Sequence, residues 1–177
     1  MNCIDEIFTE MFEITLAEHG FSYQHDADNM YSIARNNEPD QITKAQLIGS
    51  KSIIDRIHGT KNNTDIKAIG YFQFRLPADG KEPSFYIFAF SNRSDNRVEF
   101  VIVPFIELKN RLKQRNCITP NNKKTELLLW LLPDGRIFEA TYLGAEGEWY
   151  FIGGRMAENT VWDYTIFRNH GNRFLVN

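Results

Sequence analysis

The sequence predicts an α+β fold, a mixed central β-sheet flanked by helices, in a single domain over residues 1–177. Three observations carry this. Apolar residues recur at helical spacing near the N-terminus and again from Phe105 to Asn116. Between them lie short runs of β-branched and aromatic residues bounded by turn clusters. One of these, Phe85–Phe90, is almost continuously apolar, as a strand covered on both faces must be. Helices segregated about such strands define the class.

Taken in order, Ile4, Ile7, Phe8, Met11 and Thr15 give a helical stripe with Asp and Glu at the remaining positions. Gly20 supplies a stop, with Phe21 packing back on the last turn. Residues 21–35 alternate about a turn at His25–Asn29 and predict a hairpin. Asn36–Gln41 reads as a polar loop in which Asp40 caps a short helix around Ala45, Leu47 and Gly49. Ile53, Ile54 and Ile57 mark a strand over Ser52–His58, and a Gly/Asn turn cluster carries Asp65. Strands follow at Ala68–Leu76, Phe85–Phe90 and Val98–Val103. Pro104 ends the last of these, and a basic helix begins at Phe105 with Leu108 and Leu112 inward. Residues 126–143 form a strand pair about the turn at Pro133-Asp134-Gly135; residues 148–156 add a strand, and the aromatic tail is a further strand or cover.

The composition is 42% hydrophobic with 14 Phe, enough for a packed interior. No run approaches the roughly 18 apolar residues of a membrane span. The first residues are acidic from Asp5 onward, which is unlike a secretory or organellar leader and predicts a cytoplasmic protein. Cys3 and Cys117 read as ordinary thiols. His19, His25, His58 and His170 are scattered without zinc spacing. The net charge of -3 conceals an asymmetry: residues 1–40 hold nine acids against Arg35 alone, a balance of -8, and the rest carries +5. Such a split suggests an acidic arm against a basic body, or a basic face with a partner of its own, or a solvated amphipathic helix.

A set of polar residues marks the middle of the chain. Asp65 follows a turn, Gln73 and Arg75 sit two apart on a strand, and Val103-Pro104 leads to Glu107-Leu108 on the next helix. The segment Ala45–Leu108 resembles the PD-(D/E)XK superfamily of restriction-endonuclease-like proteins on these residues. The resemblance implies a nuclease-like core over residues 41–116, preceded by an acidic helix and hairpin over 1–40 and followed by a β-rich extension over 117–177. It implies Asp65, Gln73 and Arg75 as the catalytic set, with Asp65 and Gln73 holding Mg²⁺ or Mn²⁺. A hard cation prefers charged oxygens and would activate water and neutralise phosphate. Gln73 stands where the family has a carboxylate, and Arg75 where it has a lysine, so the site is degenerate. Arg75 can fork onto phosphate but cannot give up a proton. Asp55 and Lys67 are spares. The same residues also suit a plain turn and a solvated strand face.

Lys109, Arg111, Lys113 and Arg115, with Lys123 and Lys124 beyond, would point outward and could hold a nucleic-acid backbone. Two functions result. The first is a nuclease-fold protein with a weak or degenerate metal-dependent phosphodiesterase site that binds or cuts DNA, for which defence against foreign nucleic acid is the expected setting. The second is a non-enzymatic interaction module of inhibitor or immunity type, whose acidic N-terminal helix meets a basic protein partner. No dimer seam is legible.

Overall fold

The computed structural model describes residues 3–51, 66–77, 80–114, 125–142, 149–151 and 163–168. In chain order these form α1 (Cys3–Glu18), β1 (Phe21–His25), β2 (Met30–Arg35), β3 (Glu38–Gly49), β4 (Ala68–Phe74), β5 (Phe85–Asn92) and β6 (Arg97–Pro104). They continue with α2 (Phe105–Gln114), β7 (Thr125–Leu131), β8 (Ile137–Tyr142) and β9 (Trp149–Phe151). The strands divide into a five-stranded sheet, β1-β2-β3-β5-β6, and a four-stranded sheet, β4-β7-β8-β9. The first sheet is mixed because β3 and β5 run parallel, whereas its other pairs are antiparallel. The α+β class holds, with two sheets in place of one. No described helix is long and apolar enough to cross a membrane.

The β5–β6 hairpin organises the layers. Alternate residues of a strand point to opposite faces, and here both faces are apolar. Tyr86, Phe88 and Phe90 with Val101 and Val103 face the second sheet, meeting Phe72, Phe74, Leu127, Leu129 and Leu131. Ile87 and Ala89 with Phe100 and Ile102 face the other way, onto α1. Helix α2 returns after Pro104 and closes the inter-sheet core with Leu108 and Leu112. A side chain at Gly70 would place its Cβ 2.6 Å from the Phe72 ring and 3.0 Å from Phe90, so glycine permits the close approach of the sheets there. The chain passes from the first sheet to the second at Ser50–Lys51. The Lys51 amide donates to the Tyr71 carbonyl, and the Ser50 hydroxyl accepts from the Tyr71 amide.

Several expectations need correction. The helix placed around Ala45–Gly49 is the end of β3. Ala45 and Leu47 enter the α1 core while Ile48 enters the inter-sheet core, a period of two that pairing with Phe85–Ala89 enforces. The loop at Asn36–Gln41 is a two-residue turn followed by strand, since Arg35 already pairs with Glu38. Its polar character reflects exposure: Glu38–Ile42 lie in solvent. Helix α1 is rotated from the expected face. Phe8, Phe12 and Leu16 are buried, whereas Ile7 and Met11 are exposed. The strand expected at Ser52–His58 lies outside the described residues, as does Arg115. β3 runs through residue 40, and β4 of the middle segment pairs with β7 of the last, so the described strands tie the three sequence segments together.

The rotation of α1 has a direct test. Phe12→Ala should cost about 3–5 kcal/mol in urea unfolding by removing a core ring. Met11→Ala should stay within roughly ±0.5 kcal/mol, as surface substitutions do. The reverse order would place the wrong face inward.

Candidate functional site

Strand β4 turns Phe72 and Phe74 to the inter-sheet core, and its other face runs from buried Ile69 to the polar groups of Tyr71 and Gln73. Phe72 and Phe74 are buried, whereas Tyr71 and Gln73 are half-buried and Arg75, just past the strand, is exposed. Gln73 lies directly opposite Glu126 of β7. The Gln73 amide donates to Glu126 Oε1 at 2.9 Å and to the Tyr71 hydroxyl at 2.7 Å, and that hydroxyl donates to Glu126 Oε1 at 2.8 Å. Burial, then donation to Glu126, raises the Tyr71 pKa, so the phenol stays protonated as a donor. The three side chains thus satisfy one another. Glu126 is the one carboxylate that these bonds bring to Gln73, and the Gln73 amide nitrogen is committed to it. Among the described residues no group of three or more His, Cys, Asp or Glu could hold a metal ion.

Asp65, its expected partner, lies outside the described residues, as does Asp55. Ile66, which follows Asp65, precedes β4, and Gln73 stands near the far end of that strand. Lys67 is paired with Asp95 at 2.7 Å, and this hydrogen bond holds the Asp95 carboxyl below its usual range.

The basic helix is only partly a surface feature. Lys113 is exposed, and Lys109 places its ammonium 5.4 Å from the Phe105 ring centroid. Arg111, expected outward, is 6% exposed. Its guanidinium stacks 4.8 Å from the Tyr164 ring and 4.9 Å from Phe167, and donates to the Asp163 carbonyl at 2.9 Å and to Glu107 at 2.9 Å. Arg111 therefore fastens residues 163–167 onto α2 and is not placed for phosphate. Arg115, Lys123 and Lys124 lie outside the described residues.

A buried charge cluster escaped the sequence reading. Glu99 and Arg168 form a two-pronged pair, Arg168 Nε to Oε2 at 3.0 Å and Nη2 to Oε1 at 2.9 Å. Asn92 and Arg97 each donate to Glu99 Oε1 at 2.7 Å. Arg168 Nη1 also donates to the Gly135 carbonyl at 2.8 Å. Gly135 has φ +89°, and a Cβ there would lie 2.9 Å from that same nitrogen, so the turn requires glycine twice over. Burial alone would raise the Glu99 pKa, but hydrogen bonds from Arg168, Asn92 and Arg97 outweigh it and leave the carboxyl below its usual range. The signal was a lone acid in phase with Val101 and Val103; its partner stands 69 positions away and could not be paired by eye.

Helix α1 presents acids outward. Glu6, Glu10 and Glu18 are exposed. Glu13 instead turns inward, accepting from Tyr23 and Tyr31 hydroxyls at 3.2 Å each, with His25 Nδ1 at 3.4 Å. His25 stacks on Tyr31 at 4.4 Å between centroids. Comparison with protein-family models, with curated proteins and with solved structures finds no match for this chain.

The Glu99 cluster makes stability sensitive to acid in a defined direction. Its folded pKa is lowered, so its contribution is complete above the unfolded pKa and is lost as pH falls through the folded value. Glu99→Gln should cost about 3–5 kcal/mol at neutral pH, because Arg168 stays buried without its partner. That cost should shrink on acidification, as urea unfolding at several pH values would show. A variant as stable as the parent at neutral pH would contradict this account of the pair.

Proposed function

We propose that this protein is a non-enzymatic interaction module, of inhibitor or immunity type, that engages a basic protein partner through an acidic surface. The observation that carries the proposal is the placement of the N-terminal acids. Glu6, Glu10 and Glu18 on α1, and Asp26, Asp28, Glu38 and Asp40 on the two hairpins that follow, all lie exposed. A surface of one sign steers an oppositely charged partner and rejects like-charged ones. The charge of these acids would disfavour contact with DNA phosphates. The burial of Arg111 and the self-satisfied Gln73–Tyr71–Glu126 set also lend little to a phosphodiesterase.

A second reading, a restriction-endonuclease-like core that binds or cuts DNA in the cytoplasm, has one observation in its favour. Gln73 stands on the outer side of β4, with Arg75 exposed just beyond it and Glu126 2.9 Å from Gln73. In that reading Arg75, Lys109 and Lys113 would hold phosphates, and Asp65 would have to complete any metal site.

The acidic residues are woven into the sheet, so deleting residues 1–40 would remove α1, β1, β2 and the start of β3. Charge neutralisation is the cleaner test. The intact protein should bind poly-lysine with strong salt dependence, and Glu6→Gln with Glu10→Gln and Glu18→Gln should weaken this by about tenfold or more at low salt. A short DNA duplex should not bind, and plasmid should survive on the order of millimolar Mg²⁺ or Mn²⁺. Duplex binding or plasmid nicking lost in Arg75→Ala would favour the second reading over the first.

A further inference from the structure

We infer that the partner offers an apolar surface rimmed by Lys and Arg, and that Ile7, Met11 and Ile14 of α1 are the anchors that enter it. The inference rests on the acidic-surface reading above and adds the partner's chemistry to it. Helix α1 carries two apolar stripes where a surface helix needs one. Phe8, Phe12 and Leu16, spaced by four, are buried against the sheet. Ile7, Met11 and Ile14 are 51%, 36% and 43% exposed. At the helical repeat these three fall within a sector about 60° wide, centred roughly 130° from the buried stripe. Their spacing, i, i+4 and i+7, is that of a helix face set into an apolar surface.

The borders of the stripe specify its occupant. Exposed Glu10 and Glu18 lie beside it on the same helix. A second copy of this chain would bring these acids against their own kind, and nucleic acid would bring phosphate against them. A protein surface with an apolar centre and a basic rim satisfies both the isoleucines and the glutamates, which is the usual division of an interface into a dry core and a charged border. None of the three anchors belongs to a core cluster, so replacing them leaves the fold intact.

Two synthetic peptides of roughly twenty residues, long enough to hold a helix, separate the apolar and charged parts. Both carry the same lysines; one has leucines along one face, and the other has serines in their place. Binding to the intact protein would be followed by fluorescence anisotropy. The Leu-Lys peptide should bind at least about tenfold tighter than the Ser-Lys peptide. Ile7→Ser with Met11→Ser and Ile14→Ser should abolish that preference, keep the Ser-Lys affinity, and leave the circular dichroism melt in place. Equal affinity for the two peptides, or a triple variant that retains the preference, would overturn the inference and leave the acidic-surface reading standing. Binding to neither peptide would overturn both.

Discussion

The fold depends on one constraint: the β5–β6 hairpin is covered on both faces, so its alternate residues serve two cores at once. Tyr86, Phe88 and Phe90 belong to the core between the sheets, while Ile87 and Ala89 belong to the core beneath α1. Neither face can be left open, because each buried aromatic or aliphatic side chain is worth about 1.5–3 kcal/mol relative to exposure. The second sheet and α1 are therefore obligatory partners of the same strands. Strand β4 has to leave the first sheet to provide that cover, and β3 and β5 become parallel neighbours as a consequence. The outer face of β4, with Gln73 and Tyr71, is positioned by this same arrangement.

Charge is sorted by depth. The acids of α1 are mostly outside, where they cost nothing and give the protein an electrostatic side. Among the described buried charges, Glu99 pairs with Arg168, Arg111 lies between two aromatic rings and a carbonyl, and Glu139 accepts from the Tyr164 hydroxyl. Both buried arginines act on residues 163–168, which also bridge β6 at Val101 and β8 at Phe138. Tyr164 of this segment is fully buried and Phe167 packs against the inter-sheet core, whereas Ile166 is exposed. Directional pairs fix its position alongside this packing, since a buried ion pair is better understood as specifying position than as adding stability.

Much of the fold was legible in the sequence, for physical reasons that also explain the misses. The hairpin at residues 21–35, the strands at 85–90 and 98–103, and the turn at Gly135 follow from alternation, a continuous apolar run and turn chemistry. The segment at Ala45–Gly49 misled because alternation with both faces buried leaves small and large apolar residues adjacent, as a helix does. The face of α1 misled because the helix has apolar residues on two sides, and only the sheet decides which is inward. The candidate site was legible as a list of polar positions on β4. That Gln73 would find Glu126 across the strand was not, since the pairing of β4 with β7 joins residues 53 apart. Arg111 looked solvated beside Lys109 and Lys113, and only the distant Tyr164 and Phe167 rings make it a core residue.

The shared hairpin is most directly tested by native-state hydrogen exchange across a denaturant series. If β5 and β6 serve both cores, the amides of Tyr86–Phe90 and Phe100–Val103 should exchange only through global unfolding. Their free energies should then match the global value, and β4–β7 amides should be no more protected than these. Protection in β4 and β7 that outlasts that of β5 would show the second sheet standing without the hairpin, and would contradict the account.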